Sequence, residues 1–340
     1  MRKQYFRFFT VLLSFCFLYS SCAQNTPVRS EFVLGTVCTL NLFDEGTANV
    51  YSEVFARLNE LDAILSANRD DSNIAKINNG AGIEPVKAAA ETLTVLQAAL
   101  VFSEKTEGLF DPSVGPLVKA WNIGTDYAAV PSSEKLKEAL SLIDYKKISI
   151  DDEKGTVFLR EKGMKLDLGA IAKGYAADEI VRILARHNIK KAIIDLGGNI
   201  YAFGEKAPGI SWKIGVRDPE ETDGASIMTI QVQNKSIVTS GVYERFFEQD
   251  GMRYHHILDT RTGYPSENDL LSVTIITGKS IQADALSTTT FLLGSQKGLI
   301  MVEQMEDVEA VFISRNRVIT ATSGVRDSIK ILDGKYSESE

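Results

Sequence analysis

Three stretches of the sequence carry residue types whose spacing suits chemistry. In "KLDLGAIAKGYAADEI" (165–180) a strand-like run ends in Asp167, Gly169 follows, and a helix-like run opens with Lys173 in its first turn. A helix N-terminus carries unpaired N–H groups and partial positive charge, so a cation there is unfavourable unless an anion binds beside it. Gly169 and Gly174 have the spacing of a P-loop, but Lys precedes the second Gly and Tyr175 follows it. A P-loop needs Lys and then Ser or Thr at those places. What remains is a strand–Gly–helix anion site with Asp167 at its mouth, against the plainer reading of a solvated lysine. In "ADALST", Asp284 and Thr288 stand four apart and share one helical face. A carboxylate and a hydroxyl suit a hard cation such as Mg²⁺, not zinc; helix-local hydrogen bonds are the plainer alternative. In "RYHHILDTRTGYP" two of the three histidines, His255 and His256, are adjacent. On a strand they face opposite sides, so at most one enters a given pocket. His187 ends a helix, where a cation is welcome.

Two further stretches are weaker. "GLFDPSVGPLVKAW" places Asp111 before Pro112, which reads first as a turn. Gly197-Gly198-Asn199 after "AIID" lets backbone approach a ligand closely, or simply turns a hairpin.

The elements that must position these groups follow from periodicity. Residues 31–43 read as a strand. Val50, Val54, Leu58, Leu61 and Leu65 recur at steps of three and four, which predicts a helix over 47–66. A polar segment follows at 66–80. Further helices are expected at 89–105, from Pro131 and Ser132 to about Leu142, and from the Lys173 segment to about His187. Two more are expected at 281–294 and 296–305. Strands are expected at 146–150, 156–160, 164–168, on either side of the glycine pair in "KAIIDLGGNIYAFG" (191–204), and at 211–216, 226–232, 235–239 and 271–276. A closing hairpin is expected in "AVFIS" and "RVITAT". Strands and helices mix without a steady βαβ alternation, which favours α+β over a doubly wound sheet.

The chain has 340 residues, 44% hydrophobic and 24% charged, an ordinary globular balance. Its length predicts two lobes or one elaborated domain. A net charge of −8 argues against broad nucleic-acid binding but leaves room for a local basic pocket. The start reads as an export signal: Arg2, Lys3 and Arg7, then an apolar run from Phe8 to Leu18 that is short for a membrane span. "LYSSCAQ" resembles a bacterial lipobox, with cleavage before Cys22 and lipid on its thiol, although Tyr19 stands at −3 and Leu18 one place earlier. A plain signal peptide cut nearby is the alternative. The expected organisation is a signal peptide at 1–21, a lipidated Cys22 with a short tether at 22–30, and one domain at 31–340. A flexible tether of this length reaches roughly 15 Å, so the body sits close to the membrane surface. Cys38 is then the only cysteine left with a free thiol, and no internal disulfide is expected.

Taken in order, "FDPSVGPLV", "LDLGAIAKGYAAD", "DLGGNI", "HHILDTRTGYP" and "ADALSTTTFLLG" resemble the ApbE family of bacterial flavin transferases, FAD:protein FMN transferases, over residues 31 to about 325. The resemblance implies a fold of two mixed α/β lobes with FAD, the substrate, between them. It implies that Leu34, Asn68, Asp111, Asp167, Lys173 and Leu258 contact the flavin nucleotide. It implies Mg²⁺ held by the Ala170 carbonyl and the side chains of Asp284 and Thr288. It places His256 in a matched motif, as the candidate base with an ordinary pKa. Thr260 stands where the family usually has Pro, a change expected to loosen that turn. Ser287 stands where some relatives have Asp, which leaves one carboxylate fewer for metal. The implied reaction moves FMN from FAD to a Thr or Ser hydroxyl of a target protein and releases AMP. The implied targets are exported parts of electron-transfer membrane proteins. The implied location is the bacterial cell membrane, lipid-anchored and facing the periplasm or exterior. A hydrolase splitting FAD to FMN and AMP, and a non-catalytic FAD-binding lipoprotein, are the alternatives.

The lipobox reading has a direct check. Cys22→Ser should move the protein from the membrane fraction to the soluble fraction, and mass measurement of the wild-type N-terminus should find an acylated Cys22. An N-terminus elsewhere would overturn it.

Overall fold

The computed structural model describes residues 28–44, 47–221 and 224–339. The leader, with Cys16 and Cys22, lies outside them. A nine-stranded sheet forms the frame. In spatial order its strands are Arg29–Val33, Thr36–Leu42, Ala192–Leu196, Asn199–Phe203, Lys235–Gly241, Leu270–Thr277, Val308–Ser314, Val318–Ala321 and Ser337–Glu338. Every neighbouring pair is antiparallel except the last. Smaller sheets join Trp212–Arg217, Ser226–Val232 and Ile329–Ile331, and join Val86–Lys87, Thr156–Leu159 and Ile148–Asp151. Phe246–Gln249 and Met252–His255 form a two-stranded ribbon. Antiparallel pairing with helices laid on the sheet is the expected α+β class.

The strand Leu270–Thr277 is buried at every residue, as its apolar and β-branched run, interrupted only by Ser272, requires. The helix Ser280–Leu293 packs on it, on Lys235–Gly241 and against the helix Ala172–Arg186. The helix Ala48–Leu65 buries its expected stripe, with Tyr51 and Phe55 added. Arg57 from that helix pairs with Glu91 of the helix Ala90–Lys105 and with Glu179 of Ala172–Arg186, both at 2.8 Å, joining three helices through one half-buried guanidinium. A smaller core gathers Leu117, Trp121, Leu136, Ala139 and Leu258. The Trp121 indole N–H donates to the Gly263 carbonyl at 2.7 Å.

Several expectations change. Residues 31–43 are a hairpin, not one strand. Leu34 (φ 55°) and Gly35 (φ 69°) make a two-residue turn with both residues left-handed. The sequence hides it because Leu is a poor residue for that conformation. "GPLVKAW" is a helix, Gly115–Trp121, with Pro at its start and Trp121 buried. The polar segment contains the helix Asn73–Asn79, started by Ser72, whose side chain accepts from Ala75 N–H at 2.9 Å. Only Ile74 and Ile77 are buried there, too few for a visible stripe. Residues 164–168 form no strand. The Asn78 amide takes the place of a neighbour, accepting from Leu166 N–H (2.6 Å) and donating to its carbonyl (3.1 Å).

One crossing sets the position of the Lys173 helix. A Cβ on Gly174 would lie 2.2 Å from the Ser280 carbonyl oxygen and 2.7 Å from Ile281 Cα. The two helices also cap each other. Asp178 accepts from Ser280 N–H (2.8 Å) and Ile281 N–H (3.0 Å), and Asp284 Oδ2 accepts from Gly174 N–H (2.9 Å). Each carboxylate thus meets donors at the start of the other helix, where it is most stabilising. Gly174→Ala should therefore destabilise the fold by about 1–3 kcal/mol through overpacking against backbone, read as a lower denaturant midpoint at unchanged slope. A midpoint equal to that of the wild type would show that the crossing tolerates a methyl group.

Candidate active site

The Ala172–Arg186 helix opens without a side-chain cap of its own and without an acidic residue in its first turn. One of its opening N–H groups, that of Gly174, is met from outside by Asp284. This arrangement also frees a carbonyl. Gly174 N–H would ordinarily donate to the Ala170 carbonyl, but it donates to Asp284 instead. Among the described residues no donor reaches the Ala170 oxygen. Lys173 Nζ lies 3.1 Å from the Gly169 carbonyl and 3.4 Å from Asp284 Oδ1. Asp167 Oδ1 accepts from Gly169 N–H at 2.8 Å. Desolvation raises the Asp167 pKa, opposed by that hydrogen bond and by Arg245 and Lys173.

Asp284 is buried, and Thr288 lies one turn further along the same helix, half-buried. The Thr288 hydroxyl makes no hydrogen bond among the described residues, so the helix-local alternative fails for it. Ser287 faces elsewhere: its hydroxyl donates to the Asp284 carbonyl and meets Ser240 Oγ, both at 2.8 Å. A free carbonyl, a carboxylate oxygen held only by a lysine, and a free hydroxyl are all hard oxygen donors, and this set fits Mg²⁺. Among the described residues no group of three His, Cys, Asp or Glu could hold a metal. Any ion here would rely on neutral oxygens beside one carboxylate.

The strand expected to carry both histidines ends at His255, and the two rings meet different partners. His255 ends the ribbon strand Met252–His255 and is buried edge-on against Phe291. Its Nε2 sits 3.1 Å from the Ser266 carbonyl and its Nδ1 accepts from Ile257 N–H (3.3 Å), so the proton is on Nε2. His256 has the opposite tautomer. Its Nδ1 lies 3.3 Å from the Arg245 carbonyl, which can only accept, so Nδ1 carries the proton and Nε2 carries the lone pair. The main-chain N–H of His256 donates to the same carbonyl at 3.0 Å. The expected ordinary pKa does not hold. Desolvation first, then the nearby Arg245 guanidinium, His255 and Lys173, push His256 down to about 3, and desolvation lowers His255 to about 4.

Not every expected contact residue joins this group. Asp111 is buried and fully occupied. Its Oδ1 accepts from Ser113 N–H (2.8 Å) and Oγ–H (2.6 Å), and its Oδ2 accepts from Tyr145 N–H (2.9 Å). It holds a loop together, and burial raises its pKa. The Leu258 side chain belongs to the smaller core beside Trp121, so only its backbone is left to face a ligand. Asn68 is exposed, with its N–H on Ser66 Oγ at 3.2 Å. Leu34 sits in the hairpin turn, whose Gly35 carbonyl accepts from Arg245 Nη2 at 3.3 Å. That turn abuts the glycine pair, since a Cβ on Gly197 would lie 2.0 Å from Thr36 Oγ1. Thr260 does not loosen its turn. Its hydroxyl donates to the Gly108 carbonyl at 2.8 Å and ties the turn to the Asp111 loop. Residues 244 and 245, absent from the expected set, adjoin this group: the Arg245 carbonyl faces His256 Nδ1, and its guanidinium reaches Gly35. Desolvation raises the Glu244 pKa, and Arg217, Lys173 and Arg245 oppose the rise. The sequence signal was a Glu-Arg pair eleven residues before the histidines, inside "SGVYERFF".

The ApbE family model matches residues 34–312. This chain belongs to the ApbE family. Its relatives include the FAD:protein FMN transferase of Treponema pallidum, 41% identical over 93% of both chains. Another is the FAD:protein FMN transferase of Klebsiella pneumoniae, 38% identical over 90% of this chain and 95% of its own. Among solved structures, the ApbE protein of Thermotoga maritima aligns with a TM-score of 0.79 at 33% identity, covering 88% of this chain and 97% of that one. The flavin transferase ApbE from Vibrio cholerae aligns with a TM-score of 0.79 at 27% identity, covering 89% and 98%. The α+β fold is therefore the ApbE fold.

The histidine environment gives a pH prediction. In an NMR titration of the folded protein, His255 and His256 should stay neutral from pH 8 to pH 5, whereas the unfolded chain takes up protons below about 6.5. Both rings then withdraw stability as pH falls from about 6.5 toward 4, because only the unfolded state binds the protons. A His256 ring that charges near pH 6.5 would show that the cations do not act on it.

Proposed function

We propose that this ApbE protein transfers FMN from FAD to a Thr or Ser hydroxyl of an acceptor protein and releases AMP. The observation that carries this reading is Lys173 at a helix start where Asp284 meets only the Gly174 N–H, together with His256, whose Nδ1 faces the Arg245 carbonyl and whose Nε2 has no partner among the described residues. One binds a pyrophosphate and the other takes a proton. Lys173 and the opening turn of its helix bind the anion. The acceptor oxygen forms a bond to the phosphorus that carries FMN, and its proton passes to His256 Nε2. The bond from that phosphorus to the bridging oxygen breaks, and AMP leaves with the electron pair. His256 is a weak base in the free protein. A bound polyanion offsets Arg245 and Lys173 and so strengthens it as the substrate arrives. Mg²⁺, held by the Ala170 carbonyl, Asp284 and Thr288, would neutralise charge on the phosphates. Lys173 lies against Asp284 and keeps that carboxylate neutralised. The relatives' shared transferase name favours transfer over hydrolysis of FAD.

The acceptor is read as an exported part of an electron-transfer membrane protein, and the chain as anchored through Cys22 at the outer face of the bacterial cell membrane. What supports the anchor is the sequence of the leader. A lipid on Cys22 would leave about five residues before Val28 and hold the body near its acceptors.

The test is incubation with FAD, Mg²⁺ and a candidate acceptor, with acceptor mass and AMP release as readouts. His256→Ala should lower the rate about 10²–10⁴-fold with little change in FAD affinity. Asp284→Ala or EDTA should abolish turnover. Lys173→Ala should weaken FAD binding about tenfold or more, the loss of a charge-assisted contact. Full activity in EDTA, or a His256→Ala enzyme at wild-type rate, would overturn the mechanism.

A further inference from the structure

Lys173 and Arg245 come from different elements, yet they act on the same three groups. The carboxyls of Asp167 and Glu244 and the imidazole of His256 each feel both cations. The two cations therefore converge on one space, and Lys173 alone is spoken for by a carboxylate, Asp284. Among the described residues no carboxylate lies within ion-pair distance of Arg245. Its guanidinium has five N–H donors and is exposed, with one long hydrogen bond of 3.3 Å to the Gly35 carbonyl. Its aliphatic stem runs past Gly124, where a Cβ would lie 3.6 Å from Arg245 Cδ. Its root is fixed to the base, because the Arg245 carbonyl accepts both the main-chain N–H and the Nδ1–H of His256. The side chain thus leaves the same residue that sets the direction of His256 Nε2, and it reaches across to the Leu34-Gly35 turn.

We propose that Arg245 is a catalytic residue of the transfer reaction, its guanidinium binding the non-bridging oxygens of the phosphoryl group on the side where the acceptor hydroxyl enters. This rests on the transferase reading and adds a group to it. As the acceptor oxygen bonds to phosphorus and the bridging P–O bond breaks toward AMP, negative charge is shared over those oxygens. A planar fork with spare donors matches two of them at once, which an ammonium cannot do. The bond to Gly35 is long and neutral, so giving it up costs little when phosphate enters. Arg245 also ties proton transfer to substrate arrival: after burial, its charge is the next cause that keeps His256 a poor base, and an anion on the guanidinium offsets that part.

The experiment compares wild type, Arg245→Ala, Arg245→Lys and Lys173→Ala. AMP release with FAD and Mg²⁺ is followed with and without acceptor, alongside FAD binding by fluorescence and thermal melting. Arg245→Ala should melt like wild type, lose about 10²–10³-fold in kcat and weaken FAD binding less than tenfold. Arg245→Lys should recover no more than a tenth of the lost rate. Millimolar guanidinium ion should raise the rate of Arg245→Ala several-fold and leave Lys173→Ala unchanged. A wild-type kcat for Arg245→Ala overturns the proposal and leaves the transferase reading standing. So does a rate loss matched by lost FAD binding, or full recovery in Arg245→Lys. Wild-type AMP release that yields no flavinylated acceptor overturns the transferase reading instead, and the arginine comparison can still be read on FAD hydrolysis. A wild type that releases no AMP overturns both.

Discussion

The site depends on how closely two helices cross at Gly174. With hydrogen in place of a side chain, the backbone of one helix meets the first residues of the other, and Asp178 and Asp284 each satisfy donors at the opposite helix start. Neither helix brings a side-chain cap of its own. Their ends are completed only by being together. A buried carboxylate is costly unless its oxygens are hydrogen-bonded, so Asp284 is fixed in place by the same contact that fixes the Lys173 helix. The diversion of Gly174 N–H to Asp284 also leaves the Ala170 carbonyl free, beside a carboxylate and an unpaired hydroxyl. A packing solution and a set of oxygen donors arise from one contact.

Charge is arranged around this crossing in an unusual sense for a protein of net charge −8. Lys173 and Arg245 stand near a helix start that already carries positive potential. Asp167 and Glu244 lose hydration there and gain back only part of it from the cations. His256 is held neutral. The free protein thus gathers unfavourable electrostatics at one place, which the proposed pyrophosphate would relieve. Strain at functional sites is commonly retained in this way when the surrounding fold over-determines it. Here the surroundings are the nine-stranded sheet and the Leu34-Gly35 turn, whose left-handed Leu34 is a second local cost at the same site.

Thr260 shows how a departure from a family pattern can be absorbed. Proline would fix the backbone of that turn by restricting φ. Threonine restricts it through a hydrogen bond to Gly108, and Asp259 with Arg261 closes the rest of the turn, with 2.6 Å between Nη2 and Oδ2. The result joins the Asp111 loop to the segment that follows His256. Asp111 contributes through that loop, with both its oxygens committed to backbone and Ser113.

The sequence alone determined the ordered motifs, and so the family. It also determined most helices and strands, because their burial repeats at 3.6 or 2 residues over a long enough window. The placing of Asp284 and Thr288 on one helix followed from the same local geometry. The tertiary structure alone decided what depends on residues far apart in the chain. The hairpin at Leu34 was hidden because its turn residue is held by distant partners. The 164–168 segment was hidden because the amide of Asn78 supplies what a strand would. The helix Gly115–Trp121 was hidden because its own Leu117 and Trp121 are buried by Leu136, Ala139 and Leu258 from other segments. The pKa of His256 and the approach of the Arg245 side chain to it were hidden most completely. Both depend on which charges lie near one another in the fold, and Coulomb interaction follows distance through the fold rather than separation along the chain.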